Sequence, residues 1–173
     1  SSEVQEKSLP IYKTGQSINY MSYDDGFYKK GANKDFTRDG TKSTVIDNTT
    51  SLVWQDNVAA SSLEYTWDEA NQYCLTLTLG GHNEWRLPTL EELRTIVDYG
   101  KSEPSVVESF LHIANDSYWT STDIEGAQDK VWIVYYTDGN MGTGSKNEPE
   151  SSGGLLPTLD GKTSNYLRCC LLY

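Results

Sequence analysis

The chain has 173 residues, of which 25 are Asp or Glu and 14 are Lys or Arg, so its formal net charge is −11. A protein that binds nucleic acids or sulfated polysaccharides needs clustered basic residues. This composition therefore excludes the binding of strong polyanions as the function of the chain. No apolar run approaches the roughly 20 residues of a membrane-spanning helix, so we expect no membrane insertion.

The domain organisation is predicted to be simple. Residues 1–17 lack hydrophobic periodicity and are predicted to form an N-terminal arm or linker, whereas residues 18–173 are long enough for a single domain with its own core. With 12 Tyr and 5 Trp but few aliphatic residues, the composition suits an irregular, loop-rich β fold better than a helical bundle.

Acidic turns alternate with short strands between residues 19 and 56. Residues 44–46 and 52–54 are predicted strands that are joined by a turn. One interpretation of the acidic residues is local, because Asp side chains bond their own backbone in turns. The alternative is Ca²⁺, which binds six to eight oxygen ligands, although the spacing does not match an EF-hand loop. The candidate calcium ligands are Asp24, Asp25, Asp39 and Asp47.

Two short helices are predicted from their start signals. Residues 66–69 and 89–92 each fit a capping box, in which a Thr and a Glu bond each other's backbone amides. Glycines at 80–81 and at 100 are predicted to end the two helices. Apolar residues recur at helical spacing, so each helix is expected to bury one face. These residues are Trp67, Ala70, Tyr73, Cys74 and Leu77 in the first helix, and Leu90, Leu93, Ile96 and Val97 in the second.

The connection between these helices contains Trp85 and Leu87 on either side of Arg86. We expect the two apolar side chains to pin this corner into the core, while the guanidinium bonds backbone carbonyls. The alternative role for Arg86 is ligand binding.

Downstream of the second helix, residues 105–108 fit a third capping box and predict a short helix through Leu111. Residues 118–122 and 130–136 are predicted strands, and Asp138-Gly139 marks a turn. From residue 140 to residue 165 the chain is rich in Gly, Ser, Asn and Glu, which predicts a long irregular excursion used for binding or left mobile.

Several motifs occur in order along the chain and together resemble a known family. They include Thr-Trp-Asp-Glu-Ala at 66–70, Asn-Glu-Trp-Arg-Leu-Pro-Thr-Leu at 83–90, Tyr-Trp-Thr-Ser-Thr at 118–122 and Tyr-Leu-Arg-Cys at 166–169. The chain resembles the bacterial family DUF1566, also called the Lcl C-terminal domain after a collagen-like adhesin, over roughly residues 20–170. This resemblance implies an α+β, C-type lectin-like fold, with two short helices packed on small antiparallel sheets and long irregular loops.

The resemblance also implies a disulfide bond. In a C-type lectin-like fold the first helix lies against the terminal strand, so a bridge between Cys74 and Cys169 is expected. Such a bridge requires an oxidising compartment and is worth roughly 4–5 kcal/mol in the chain-entropy model. Cys169 and Cys170 point to opposite faces of a strand, so only one of them can face Cys74. The other is then a buried small hydrophobe or a free thiol.

The function that the resemblance implies is binding. We expect a non-enzymatic, adhesin-like recognition module, extracellular or on a bacterial cell surface, that binds a cell-surface glycan or protein through loops around residues 138–165. Aromatic faces stack on sugar rings, and Asn and Glu side chains bond hydroxyls. Residues 147–150 also resemble, in a different order, the Glu-Pro-Asn motif of calcium-dependent sugar binders. The candidate ligand-binding residues are Tyr136, Asn140, Asn147, Glu148, Glu150 and Asn165.

Two alternatives belong to other functional classes. The first is a structural or oligomerisation domain of a surface protein, which would form a homo-oligomer. The second is an oxidase related to formylglycine-generating enzymes, with copper held by Cys169 and Cys170. His82 and His112 have no Ser or Cys at a motif spacing that would make either of them a general base, so we expect no enzymatic activity.

Overall fold

The computed structural model describes residues 9–10, 12, 33–147 and 164–173. This part of the chain is α+β, with few helices and two sheets. Most of the predicted N-terminal arm lies outside the described residues, as do Asp24, Asp25, Glu148 and Glu150. The strands are β1 (Phe36–Asp39), β2 (Thr44–Asp47), β3 (Leu52–Gln55), β4 (Glu64–Tyr65), β5 (Ser117–Ile124), β6 (Ala127–Tyr135), β7 (Met141–Ser145), β8 (Asn165–Tyr166) and β9 (Cys170–Leu172). The helices are α1 (Ala59–Ser62), α2 (Trp67–Thr76) and α3 (Leu90–Thr95).

The strands form two sheets, and the first and last strands of the described chain, β1 and β9, belong to the same sheet. One sheet has the order β1-β2-β3-β9 and the other β4-β8-β5-β6-β7, and all pairings are antiparallel except that between β5 and β8. Leu52 and Trp54 of β3 enter one core cluster and Val53 enters the other, because successive side chains of a strand point to opposite faces. The predicted strands 44–46, 52–54, 118–122 and 130–136 are confirmed.

Both predicted capping boxes are present, at Thr66 with Glu69 and at Thr89 with Glu92. Helix α2 nevertheless ends at Thr76, four residues before the glycine pair that was predicted to end it. Leu77 is already extended, and the backbones of Leu79 and His82 exchange two hydrogen bonds of 3.0 Å. Gly80 and Gly81, with φ of 63° and 87°, form the turn inside that pair. The glycines therefore close a turn rather than cap a helix.

Helix α3 ends at Thr95, also before the predicted glycine, but its buried stripe of Leu90, Leu93, Ile96 and Val97 is confirmed. The helix predicted from residue 105 is absent, because the segment pairs with the chain that follows α3. Val106 forms a bridge with Val97, and the amide of Val107 donates to the carbonyl of Ile96 at 3.0 Å. These tertiary bonds take the backbone groups that a helix would use.

The excursion predicted between residues 140 and 165 contains strand β7. Its glycines lie against aromatic rings: a Cβ on Gly144 would overlap the Trp119 ring, and one on Gly142 would come within 2.7 Å of the Tyr135 ring. The glycines that made this segment look irregular are required by close packing. Among the helices of the described residues, none combines the length and the apolar character needed to cross a bilayer.

Candidate functional site

Two of the residues predicted to bind ligand lie in the interior. Tyr136 has no exposed surface, and its ring packs on that of Tyr118 with centroids 4.4 Å apart. Asn165 is 1% exposed and accepts a hydrogen bond from the Ser117 hydroxyl. Their prediction as surface ligand contacts is therefore corrected, because a side chain without exposure stabilises the core instead of meeting a ligand.

Asn140 and Asn147 are exposed but lie at the two ends of β7, so they do not form one site. Asn140 is fixed by Asp138, whose carboxylate accepts bonds from the Asn140 amide at 2.9 Å and from its side chain at 2.6 Å. Asn140 therefore belongs to a well-defined turn beside β6.

The two described calcium candidates are also apart. In the pairing of β1 with β2, Asp39 lies opposite Thr44 at one end and Asp47 lies opposite Phe36 at the other. Asp39 accepts bonds within its own turn, including one from the Thr41 hydroxyl at 2.7 Å. Asp47 is buried and accepts bonds from Tyr12 and Thr49. Among the described residues, no group of three His, Cys, Asp or Glu is placed to hold a metal ion.

The predicted disulfide bond joins Cys74 of α2 to Cys169, with Cα atoms 5.5 Å apart. Cys169 belongs to one core cluster and Cys170 to the other, as opposite faces of a strand require. Burial raises the pKa of the Cys170 thiol, and the nearby Glu92 raises it further. Cys170 is therefore a protonated, buried thiol, and a thiolate is the form that binds metals and attacks other groups.

Arg86 forms a different set of bonds from the one predicted. Trp85 and Leu87 are buried as expected, but the guanidinium binds the Glu92 carboxylate through both terminal nitrogens, at 2.8 and 2.7 Å. It reaches one carbonyl, that of Leu87, at 3.3 Å. The same carboxylate accepts the backbone amide of Thr89, so the capping box and the ion pair share one side chain.

Glu92→Gln is expected to lower the free energy of unfolding by about 1 kcal/mol at pH 7, because it removes the charge from a bidentate, partly buried pair. Burial opposes ionisation of Glu92, but the bonds from Arg86 and Thr89 outweigh it and hold the carboxyl pKa below its ordinary value of 4.5. A depressed folded-state pKa stabilises the fold above about pH 4.5, and this contribution is lost as the pH falls through the lower value.

Thermal melts of the wild type and Glu92→Gln between pH 3 and pH 7 test this. The difference in melting temperature should shrink as the pH falls. Glu91→Gln is the control, since Glu91 is exposed on the same helical turn and has no bond to Arg86. A difference that is constant over the whole range would contradict the assignment.

A buried charge network that the sequence did not reveal lies beside the terminal strand. The guanidinium of Arg168 donates to the Asp56 carboxylate at 3.2 Å and to the carbonyls of Gln55 and His112. Asp56 also accepts the backbone amides of Leu111 and His112, each at 3.1 Å. Because Asp56 and Arg168 are both fully buried, this network fixes the segment that leads into residues 111–112.

A polar cleft of about 470 Å³ has residues 107–109, just before that segment, in its lining. Phe36 and Val107 supply its apolar surface, and it carries charges of both signs together with neutral hydrogen-bonding groups. We call it the Lys34 cleft. It is lined by Asn33, Lys34, Asp35, Phe36, Asp98, Lys101, Val107, Glu108 and Ser109.

Lys34 is the partly buried cation of this cleft. Its ammonium donates a hydrogen bond to the carbonyl of Val97. Burial lowers the pKa of Lys34 to about 8. The carboxylates of Asp98 and Asp47 favour the charged ammonium and offset part of this lowering. Lys101 and Glu108 pair with each other across 3.4 Å.

An exposed tyrosine outside the lining of the cleft packs on the turn that follows β6. Tyr99 comes directly after Asp98, and its hydroxyl donates to the carbonyl of Gly139 at 3.2 Å. Gly139 lies so close to Tyr99 that a Cβ would come within 2.8 Å of the ring. Tyr99 is 41% exposed beside Asp138 and Asn140. We call Tyr99, Asp138 and Asn140 the Tyr99 surface.

Sequence reasoning identified only the turn of this region. The cleft is assembled from residues 33–36, 98–101 and 107–109, which come together only through the tertiary structure, and no local pattern marks them. The sequence pattern that came nearest to this region was the predicted Asp138-Gly139 turn, together with the predicted ligand-binding residue Asn140. Both belong to the Tyr99 surface or border it.

Comparison with known proteins gives one family. Residues 43–152 match the sequence model of the Lcl C-terminal domain. The match covers strands β2 to β7, including both capped helices and most of the lining of the cleft. No curated protein and no solved structure matches the chain.

Proposed function

The chain belongs to the Lcl C-terminal domain family, and we propose that it is a non-enzymatic recognition module that binds a glycan through the Lys34 cleft and the Tyr99 surface. The family indicates a domain of a surface or secreted protein. A disulfide bond fits that location, since such bonds persist in oxidising compartments.

A C-type lectin-like arrangement is part of this proposal. It is supported by the pairing of the terminal strand β9 with β3 and by the bridge from α2 to Cys169. In such a fold a fixed scaffold presents irregular loops, and the loops carry the ligand contacts.

The observation that carries the proposal is a polar cleft with an exposed tyrosine, Tyr99, one residue after its lining residue Asp98. Its volume of about 470 Å³ lies within the range of about 300–1,000 Å³ that is typical of small-ligand sites. Sugars bind where an aromatic face lies beside hydrogen-bonding groups, and Tyr99, Asp138 and Asn140 supply both. The cleft adds the neutral polar groups of Asn33 and Ser109.

The surroundings of the two histidines support a binding role over catalysis. The His82 ring packs against Trp85 and Tyr173, with centroids 6.5 and 5.7 Å away. The backbone of His112 is held by Asp56 and Arg168. Neither histidine lines the Lys34 cleft.

Tyr99→Ala is expected to weaken glycan binding by about tenfold, because one stacking contact of about 1.4 kcal/mol is lost. The measurement is a glycan array followed by titration of the strongest hit, with millimolar calcium and again with a chelator. The described carboxylates do not converge on a metal site, so we expect the chelator to have no effect.

Tyr173→Ala is the matched control, since Tyr173 is an exposed tyrosine at the end of β9 and should leave the affinity unchanged. Asn140→Ala tests the same surface without touching the packing of Tyr99 on Gly139. If no glycan binds in either condition, the lectin proposal fails, and a protein-binding or oligomerisation domain becomes the better account.

A further inference from the structure

The ammonium of Lys34 has an unusual position for a charged group. It is partly buried, yet the ion pairs formed within the described part of the chain do not include it. The bond to the carbonyl of Val97 satisfies one of its three donors. A buried charge is normally paired, because desolvation otherwise disfavours it.

The other charged groups around the cleft have partners of their own. Lys101 is paired with Glu108, and the Asp98 carboxylate accepts the backbone amide of Gly100 at 3.0 Å. Asp47 is held by the Tyr12 hydroxyl at 2.7 Å. Asp35 accepts a bond from the side chain of Asn48 at 3.0 Å. Lys34 therefore presents a positive charge that forms no ion pair within the described part of the chain, while the described carboxylates around it accept hydrogen bonds from other groups.

We propose that Lys34 forms the ion pair with the carboxylate of an acidic sugar, such as a uronic or sialic acid residue, bound in the Lys34 cleft. This inference rests on the proposed function and names the class of sugar. Asn33 and Ser109 of the cleft bond the sugar hydroxyls, and Lys34 neutralises its single negative charge.

The charges select one carboxylate over a more highly charged ligand. The cleft contains two cations, Lys34 and Lys101, and three carboxylates, those of Asp35, Asp98 and Glu108. A phosphate or sulfate cluster would meet these carboxylates, and a long polyanion would be repelled by the net charge of −11. A single carboxylate needs only one ammonium, and Lys acts as a point charge without the planar fork of Arg.

The test compares acidic glycans with their methyl esters, which keep the sugar and remove only the charge. The wild-type protein is expected to bind uronic- or sialic-acid glycans at least about tenfold more tightly than the esters. Lys34→Met should remove this preference and leave the weaker binding of the esters intact. Lys130→Met is the control, since Lys130 is an exposed lysine of β6 outside the lining of the cleft, and it should keep the preference.

A stability measurement separates this role from a structural one. Lys34→Met should keep the melting temperature or raise it by about 2–4 °C at pH 7, because the variant no longer buries an ammonium that has no ion-pair partner among the described residues. A fall in melting temperature, with the preference unchanged, would assign Lys34 to the scaffold and overturn the inference.

The pH dependence follows from the same residue. The preference for the acid should weaken as the pH rises above about 8, where Lys34 loses its proton. The other charged groups that line the cleft are Asp35, Asp98, Lys101 and Glu108. A preference that persists to pH 10 would contradict the inference.

Two failures are distinguishable. Equal binding of acids and esters overturns the carboxylate inference alone, because the glycan function stands. Binding of neither overturns both. N-acetylglutamate α-amide serves as a single carboxylate without a sugar, and equal affinity for it would assign the cleft to an acidic peptide instead.

Discussion

Replacing both Cys74 and Cys169 by Ala is expected to lower the free energy of unfolding by about 4–5 kcal/mol. The two residues are 95 positions apart, and in the chain-entropy model a closed loop of that length is worth about this much. Because domains are stable by only about 5–15 kcal/mol, the variant should lose a large share of its stability. Urea denaturation at pH 7 measures the change.

Cys170→Ala is the control for this experiment. It makes the same substitution one residue away, where a buried free thiol is lost and no covalent bond is broken. We expect a cost of about 1 kcal/mol, from the small cavity alone. A reducing agent should shift the wild-type transition toward that of the double variant and leave the double variant unchanged. Equal midpoints of the wild type and the double variant would contradict the bridge.

The sequence predicted the start of each main helix because the start depends on neighbours. A capping box needs only a Thr and a Glu three residues apart, and both pairs form the expected bonds. The predicted helix ends were wrong because a glycine with positive φ can form a turn as well as end a helix. Gly80 and Gly81 adopt the left-handed conformation that was predicted, but inside a turn closed by Leu79 and His82.

The edge strand β7 was harder to predict for a different reason. Strand β7 reads Met-Gly-Thr-Gly-Ser, a composition that favours a loop, and it pairs with β6 because its glycines admit the rings of Trp119 and Tyr135. Tyr136 was predicted to bind ligand because aromatic faces stack on sugar rings and it lies beside the polar excursion. In the structure its ring packs on that of Tyr118 in the core, a contact that only the tertiary structure shows.

The candidate site shows the same limit. Lys34 has no local feature that distinguishes it from other lysines, and its significance comes from burial beside Val97, 63 residues away. By contrast, the bridge between Cys74 and Cys169 was expected through the family resemblance, and the structure contains it. Motifs with a fixed order thus identified the scaffold, while the cleft required the assembled fold.

Asp56→Ala is expected to cost about 3–5 kcal/mol, because it leaves the fully buried guanidinium of Arg168 without its carboxylate partner. It also removes the acceptor of the Leu111 and His112 amides. Residues 111 and 112 come shortly after Ser109, which lines the Lys34 cleft. Because the variant frees this segment, it should lose glycan affinity together with stability. Urea denaturation and the glycan titration measure the two effects.

A double-mutant cycle isolates the pair. Arg168→Met also removes the stacking of the guanidinium over Phe110, whose ring centroid is 4.8 Å away, so it is costly on its own. Combined with Asp56→Ala, it should cost clearly less than the sum of the two single variants, because neither charge is then left buried alone. Arg38→Met is the control, since Arg38 binds the same carboxylate at 3.0 Å from a more exposed position and should cost about 1 kcal/mol or less. Additive costs for Asp56 and Arg168 would show that the two charges act independently, and the segment at 111–112 would then depend on Asp56 alone.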